Sequence, residues 1–268
     1  MGRRGWGVQG ALLRASMEGD AEVVRRLAAT AGVDVNAVDG DEWGRGPLHR
    51  ASWAGHARAV EALLEAPGAD VNRVNRFGMT PLSTASNRGH AGVVRVLLGA
   101  AGVDVNRATK GGQVPLHHAA WEGHADVVEL LLRAPGVEVD RADACGWTPL
   151  YAASSQGHVA VAEALLNSGA DPSAKDARGL SLLDAACRRL PGLCTPDWAL
   201  TPVRARRLPG PDCTVRAVQR RLGPLLRVLF LANMPQPLAQ RFALCALADD
   251  PSAHLVALLL RAGARPCA

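Results

Sequence analysis

Eight histidines and six cysteines are the residues of this 268-residue chain with the widest range of chemistry open to them. Imidazoles grouped with thiolates or carboxylates bind zinc, and one imidazole beside a thiol or hydroxyl activates a nucleophile. Spacing speaks against both. His56, His90, His124 and His158 each follow a glycine and recur every 34 residues. Each is therefore expected at one position of a separate copy of a repeated unit. His49 and His117 each follow Pro-Leu, in the same phase. His118 has no such counterpart, and a surface role is expected for it. Cys187, Cys194 and Cys213 match no zinc spacing, and the chain has no Cys-x-x-Cys. It also lacks a Gly-x-Ser-x-Gly elbow, a phosphate-binding loop, a dinucleotide fingerprint and His-Glu-x-x-His. The expectation is a chain without catalysis, cofactor or metal.

The repeated unit is clearest from Gly112 to Gly146. Pro115 suits the first turn of a helix, where its missing N–H would be unpaired anyway. Leu116, Ala119 and Ala120 give that helix a small apolar face, and Gly123 ends it where positive φ is needed. A second helix over Ala125 to Leu132 carries Val127, Val128, Leu130, Leu131 and Leu132, and Pro135-Gly136 stops it. Two helices this short cannot bury their faces alone and need identical neighbours. These exist: Pro-Leu recurs at Pro47, Pro81, Pro115 and Pro149, every 34 residues. A fixed period of this size means a stacked array.

With Thr-Pro-Leu at Thr80 and Thr148, Pro-Leu-His at Pro47 and Pro115, Gly-His between the helices, and Gly-Val/Ala-Asp-Val-Asn at Gly32, Gly68 and Gly102, the chain resembles the ankyrin-repeat family. The likeness runs over roughly residues 8 to 190 and implies an all-α solenoid of helix–turn–helix repeats with hairpin loops. It implies turn hydrogen bonds for the Gly-His histidines and backbone bridging at the helix start for His49 and His117. Asp34, Asp70 and Asp104 are then structural, with Asn36, Asn72 and Asn106 closing the hairpin turn. Non-catalytic protein binding, as a scaffold or adaptor, is the implied function.

In order, residues 1 to 9 are expected as a frayed leader and 10 to 39 as a first repeat lacking Thr-Pro-Leu-His. Four further repeats run to about 175, and a sixth starts at Asp176. In the sixth, Arg188-Arg189-Leu190 leads into Pro191, and a second helix is missing from the expected place. Residues 191–213, broken by Pro191, Pro196, Pro202, Pro209 and Pro211, read as an insertion or linker. Residues 214–268 read as an irregular helical C-terminal section. Its ending, His254-Leu-Val-Ala-Leu-Leu-Leu-Arg-Ala-Gly-Ala-Arg-Pro266, resembles a second helix and its exit, so the array is expected to resume there.

The net charge of +5 is uneven: residues 1–178 hold 18 basic and 20 acidic side chains, residues 179–268 hold 12 and 5. Scattered cysteines fit a reducing compartment. No secretory signal or membrane-length apolar run is visible, so an intracellular place, cytoplasm and/or nucleus, is expected, with a monomeric chain.

In ankyrin arrays the hairpin tips and the exposed end of the first helix form a concave recognition face. Projected onto this chain, the partner-binding residues are Trp43, Arg45, Trp53, Arg76, Phe77, Met79, Arg88, Lys110, Trp121, Trp147 and Arg178. Glu42 and Glu122 share that face, with Cys145 on an exposed tip. Five of the chain's ten aromatic residues fall on it. Trp and Arg are the side chains enriched where binding energy concentrates. The competing reading is that each Trp packs on the neighbouring repeat and holds the stack. Two other functions stay open. One is a ubiquitin-ligase adaptor with a SOCS-box-like tail, on the Leu183/Cys187 spacing. The other is anionic-surface or nucleic-acid contact by the basic C-terminal section, through Arg204, Arg206, Arg207, Arg216, Arg220 and Arg221.

Overall fold

The structure is a computed structural model that describes residues 7–182 apart from 39 and 41, together with 258, 262 and 263. Over these residues it is all-α. Ten helices run in five antiparallel pairs: α1 (Val8–Glu18) with α2 (Ala21–Ala28), α3 (Pro47–Ala54) with α4 (Ala57–Leu64), α5 (Pro81–Arg88) with α6 (Ala91–Leu98), α7 (Pro115–Glu122) with α8 (Ala125–Leu132), and α9 (Pro149–Gln156) with α10 (Val159–Asn167). First helices pack on first helices and second helices on second helices, giving two layers. No helix among the described residues is long and apolar enough to cross a membrane.

Local chemistry sets each boundary. Proline opens α3, α5, α7 and α9. Thr80 and Thr148 cap two of these by accepting from Ser83 N–H and Tyr151 N–H. A left-handed glycine closes every first helix, for example Gly55 at φ 83° and Gly89 at φ 74°. The core is a line rather than a ball. Leu12, Leu48, Leu82, Leu116 and Leu150 form one buried column, and Ala51, Ala85, Ala119 and Ala153 another. The alanines have no bulk beyond Cβ, which lets the first helices approach closely.

Two expectations change at the N-terminus and in the loops. Val8 and Gln9 belong to α1, not to a frayed leader. Gln9 Nε2 donates to Asp34 O at 2.7 Å, and Gln9 Oε1 accepts from Asp34 N–H at 3.1 Å, so the helix start is tied to its own repeat's exit. The Asp-Val-Asn asparagines do not close a turn within one repeat. Asn36, Asn72 and Asn106 each donate to a glycine carbonyl of the next repeat, Gly68, Gly102 and Gly136, at 2.7 Å. Each also accepts a backbone N–H from that repeat, from Asp70, Asp104 and Glu138. Asp34, Asp70 and Asp104 hold the asparagines in place by accepting their N–H groups.

The fourth repeat breaks this ladder. Asp140 replaces asparagine and still accepts from Asp171 N–H at 3.0 Å, but a carboxylate has no N–H for the Gly169 carbonyl. Asp140→Asn is therefore expected to raise stability by about 0.5–1.5 kcal/mol, one net hydrogen bond. A urea midpoint that stays put or falls would count against this.

Leu183, Cys187, Arg188 and Arg189, the 191–213 insertion and the adaptor-tail and basic-section readings lie outside the described residues. So does the C-terminal section, except for Leu258, Ala262 and Gly263.

Candidate functional site

Hairpin tips project between the helix pairs, and each is built from one side chain and one glycine. Asn75 Oδ1 accepts from Phe77 N–H and Met79 N–H, and Asp143 Oδ1 from Cys145 N–H and Trp147 N–H. Asp176 Oδ1 does the same for Arg178 and Leu180. Tips are then joined in series, each donating one backbone N–H to the tip before. Arg76 donates to Trp43 O, Lys110 to Phe77 O, Ala144 to Gly111 O and Ala177 to Cys145 O, at 3.0–3.1 Å. Gly78, at φ 80°, makes this approach possible, since a Cβ there would stand 2.8 Å from the Lys110 nitrogen.

The first helices are registered from the other side. His90 Nε2 donates to Trp53 O at 3.0 Å, His124 to Asn87 O at 3.1 Å and His158 to Trp121 O at 3.0 Å. His56 does so to Met17 O at 3.1 Å. The sequence implies turn hydrogen bonds for these rings; the bonds are in fact made to the preceding repeat. Asp20 takes the histidine's place in the first repeat and caps its own helix instead, accepting from Val23 N–H. His117 bridges as expected: its Nδ1 accepts from Val114 N–H at 3.3 Å and its Nε2 donates to Trp147 O at 2.7 Å. His49 Nε2 donates to Met79 O at 3.0 Å. Burial holds both imidazoles below their ordinary pKa, against the carbonyl bonds that raise it.

His118 is not the surface residue its sequence context implies. It is half-buried on α7, and its Nε2 is buried with no hydrogen-bond partner among the described residues. Burial, and then the neighbouring His117, push its pKa down to about 4.

On this frame the eleven candidate residues fall into two groups with few outliers. In the first, the Trp43 and Phe77 rings tilt together at 5.0 Å across successive tips. Arg45 lies 5.6 Å from the Trp43 ring and 5.7 Å from that of Trp53, and Arg88 covers Trp53 at 4.4 Å. Arg76 runs past Gly44 and reaches the Glu42 carbonyl at 3.4 Å. In the second, Trp121 stacks on Trp147 at 5.5 Å and Trp147 tilts on Tyr151 at 5.2 Å. Tyr151 is a member that sequence reading missed. It is buried and donates its hydroxyl to Asp176 Oδ2 at 3.2 Å. Its place after Pro149-Leu150, where His49 and His117 stand in other repeats, was the available signal.

Met79 is half-buried, whereas Lys110 and Arg178 are exposed. The aromatics do pack on neighbouring repeats, yet Trp43, Phe77 and Trp121 keep 39%, 47% and 37% of their surface in solvent. Stacking between repeats therefore accounts for part of each ring and leaves the rest available. Cys145 is exposed on its tip.

Family comparison agrees with the geometry. A model described as ankyrin repeats (3 copies) matches residues 67–143 and 112–176, and one described as ankyrin repeats (many copies) matches residues 12–64. No curated protein matches the chain.

Proposed function

The chain belongs to the ankyrin-repeat family, whose repeats mediate protein–protein interaction, and on that premise we propose that it is a non-catalytic scaffold or adaptor. It grips a protein partner on the concave face formed by tips and first helices. The observation that carries this reading is the pair of half-exposed aromatic clusters, Trp43–Phe77–Trp53 and Trp121–Trp147, held in register by repeat-to-repeat hydrogen bonds. Large apolar rings left in water are unfavourable, and covering them contributes to association. The frame is ordered before binding, so little conformational freedom is lost.

The charge on this face narrows the partner. Arg45, Arg76, Arg88, Lys110 and Arg178 outnumber Glu42 and Glu122. Glu42 is engaged by Trp43 Nε1 at 2.9 Å, and Glu122 by Asn87 Nδ2 at 3.5 Å. A docking segment with carboxylates beside apolar side chains fits that pattern: its rings or aliphatics meet the indoles, and its carboxylates meet the guanidiniums.

The test is affinity capture from the source cell with the full chain. It compares wild type with Trp43→Ala/Phe77→Ala/Trp121→Ala/Trp147→Ala and with Arg45→Glu/Arg88→Glu, after circular dichroism shows equal folding. Loss of the same partners in both variants is the expected result, at least tenfold by recovered amount, since central aromatic and Arg anchors are typically worth about 2 kcal/mol or more. Equal recovery by all three proteins would assign the aromatics to holding the stack and remove this face as the site.

A further inference from the structure

We propose that the chain covers the open end of its own array: the segment ending at Gly263 docks as the second half of the repeat that Ser181 and Leu182 begin. This stands independently of which partner the concave face takes.

The sixth repeat begins as the earlier ones do. Its tip is built by Asp176 like the earlier ones, Lys175 pairs with Ser181 across it, and Leu182, at the place Pro149 holds in the fifth repeat, is completely buried. In the five preceding repeats a second helix begins within two or three residues of the first helix's end. Here Leu190-Pro191-Gly192 stands where Gly157-His158-Val159 stood, so neither the glycine nor the histidine is present at its place to make the same turn.

The missing half is matched at the end of the chain. Leu165-Leu-Asn-Ser-Gly-Ala-Asp-Pro172 closes α10, and Leu259-Leu-Arg-Ala-Gly-Ala-Arg-Pro266 repeats it with three changes. The backbone agrees. Ala262 N–H donates to Leu258 O at 3.0 Å, as Ser168 N–H does to Ala164 O at 3.2 Å. Gly263 has φ 94° and Gly169 has φ 89°. Leu258 packs against the buried hydrophobic cluster of the array. Sequence and turn geometry match this segment to the exit of a second helix, and Leu258 meets the core of the array. An array that stops on an open apolar face exposes it to water or to a second copy, and covering it from within removes both outcomes.

A protease recognition sequence, flanked by glycine–serine spacers and inserted between Pro202 and Val203 of the full chain, tests this. After complete cleavage the two pieces are expected to co-elute on size exclusion as one particle of the uncut size. In the same nicked protein, Leu258→Asp is expected to separate them, and Leu258→Ala to weaken retention at least tenfold on dilution. Hydrogen exchange on the uncut Leu258→Asp chain should be faster in α9 and α10 and unchanged in α3 and α4. Pieces that separate in the wild type overturn the proposal, as do pieces that stay together regardless of residue 258, or exchange in α9 and α10 that does not change.

Discussion

Replacing Gly89 by alanine is expected to lower stability by about 2–4 kcal/mol, whereas Gly102→Ala costs only about 1 kcal/mol. Both glycines are left-handed, at φ 74° and φ 76°, so the backbone penalty for an L side chain is shared. They differ in what a Cβ would meet. At Gly102 nothing lies within 4 Å, whereas at Gly89 the His124 ring stands 2.6–2.9 Å away. That ring donates to Asn87 O at 3.1 Å, so an added methyl pushes it off its carbonyl and opens the joint between the third and fourth repeats. The histidine supplies the bond and the preceding repeat's glycine supplies the room for it. His124→Ala alone should cost about 1 kcal/mol, the hydrogen bond without the clash. Gly89→Ala/His124→Ala should cost less than the sum of the two singles, because the methyl then meets an empty site. Urea unfolding with a shared slope measures all four values. Equal losses for Gly89→Ala and Gly102→Ala would show that the glycine and histidine are not coupled.

The second large effect is with pH. In the unfolded chain His118 titrates near 6.5, and in the fold its pKa is down to about 4, because its imidazole is buried and lies beside His117. His49 and His117 are also lowered, by burial first. Below pH 6.5 the unfolded chain binds protons that the folded chain does not, so stability is complete above that value and falls as the solution is acidified. At about 1.4 kcal/mol per pKa unit, His118 alone loses roughly 3 kcal/mol by pH 4. Thr84 and Ala152 occupy the same helix position in neighbouring repeats and are buried there, so His118→Thr is a change the array already accommodates. The variant should unfold at nearly the wild-type urea concentration at pH 7.5 and at a clearly higher one at pH 5. If the two proteins lose stability in parallel from pH 7.5 to pH 5, the acid sensitivity lies elsewhere.

The repeat unit was legible in the sequence because its signals are local and recur. Proline at the first helical position, glycine in the left-handed cap and a leucine–alanine face act within one helix turn of themselves, and a 34-residue period repeats them until chance is excluded. Pro47, Pro81, Pro115 and Pro149 open helices as expected, and α8 spans Ala125–Leu132 as read from its apolar run. The tip residues were placed on a common face for the same reason.

What belongs between repeats was decided by the tertiary structure. Asn36, Asn72 and Asn106 looked like turn residues because Asp-Val-Asn is contiguous, but their partners are 30 to 34 residues away, and nothing local encodes which carbonyl arrives there. The Gly-His histidines hid their partners in the same way, at 37 and 39 residues. His118 looked exposed because it is polar; stacking buried it without supplying a partner for Nε2. Trp43 meets Phe77 and Trp121 meets Trp147 because the offset of one repeat on the next sets which rings touch, and that offset is a sum of many weak contacts along the whole interface. By itself the sequence determined the repeated unit and where its helices begin and end. The stacking of units determined which side chains lock together and which remain half in water.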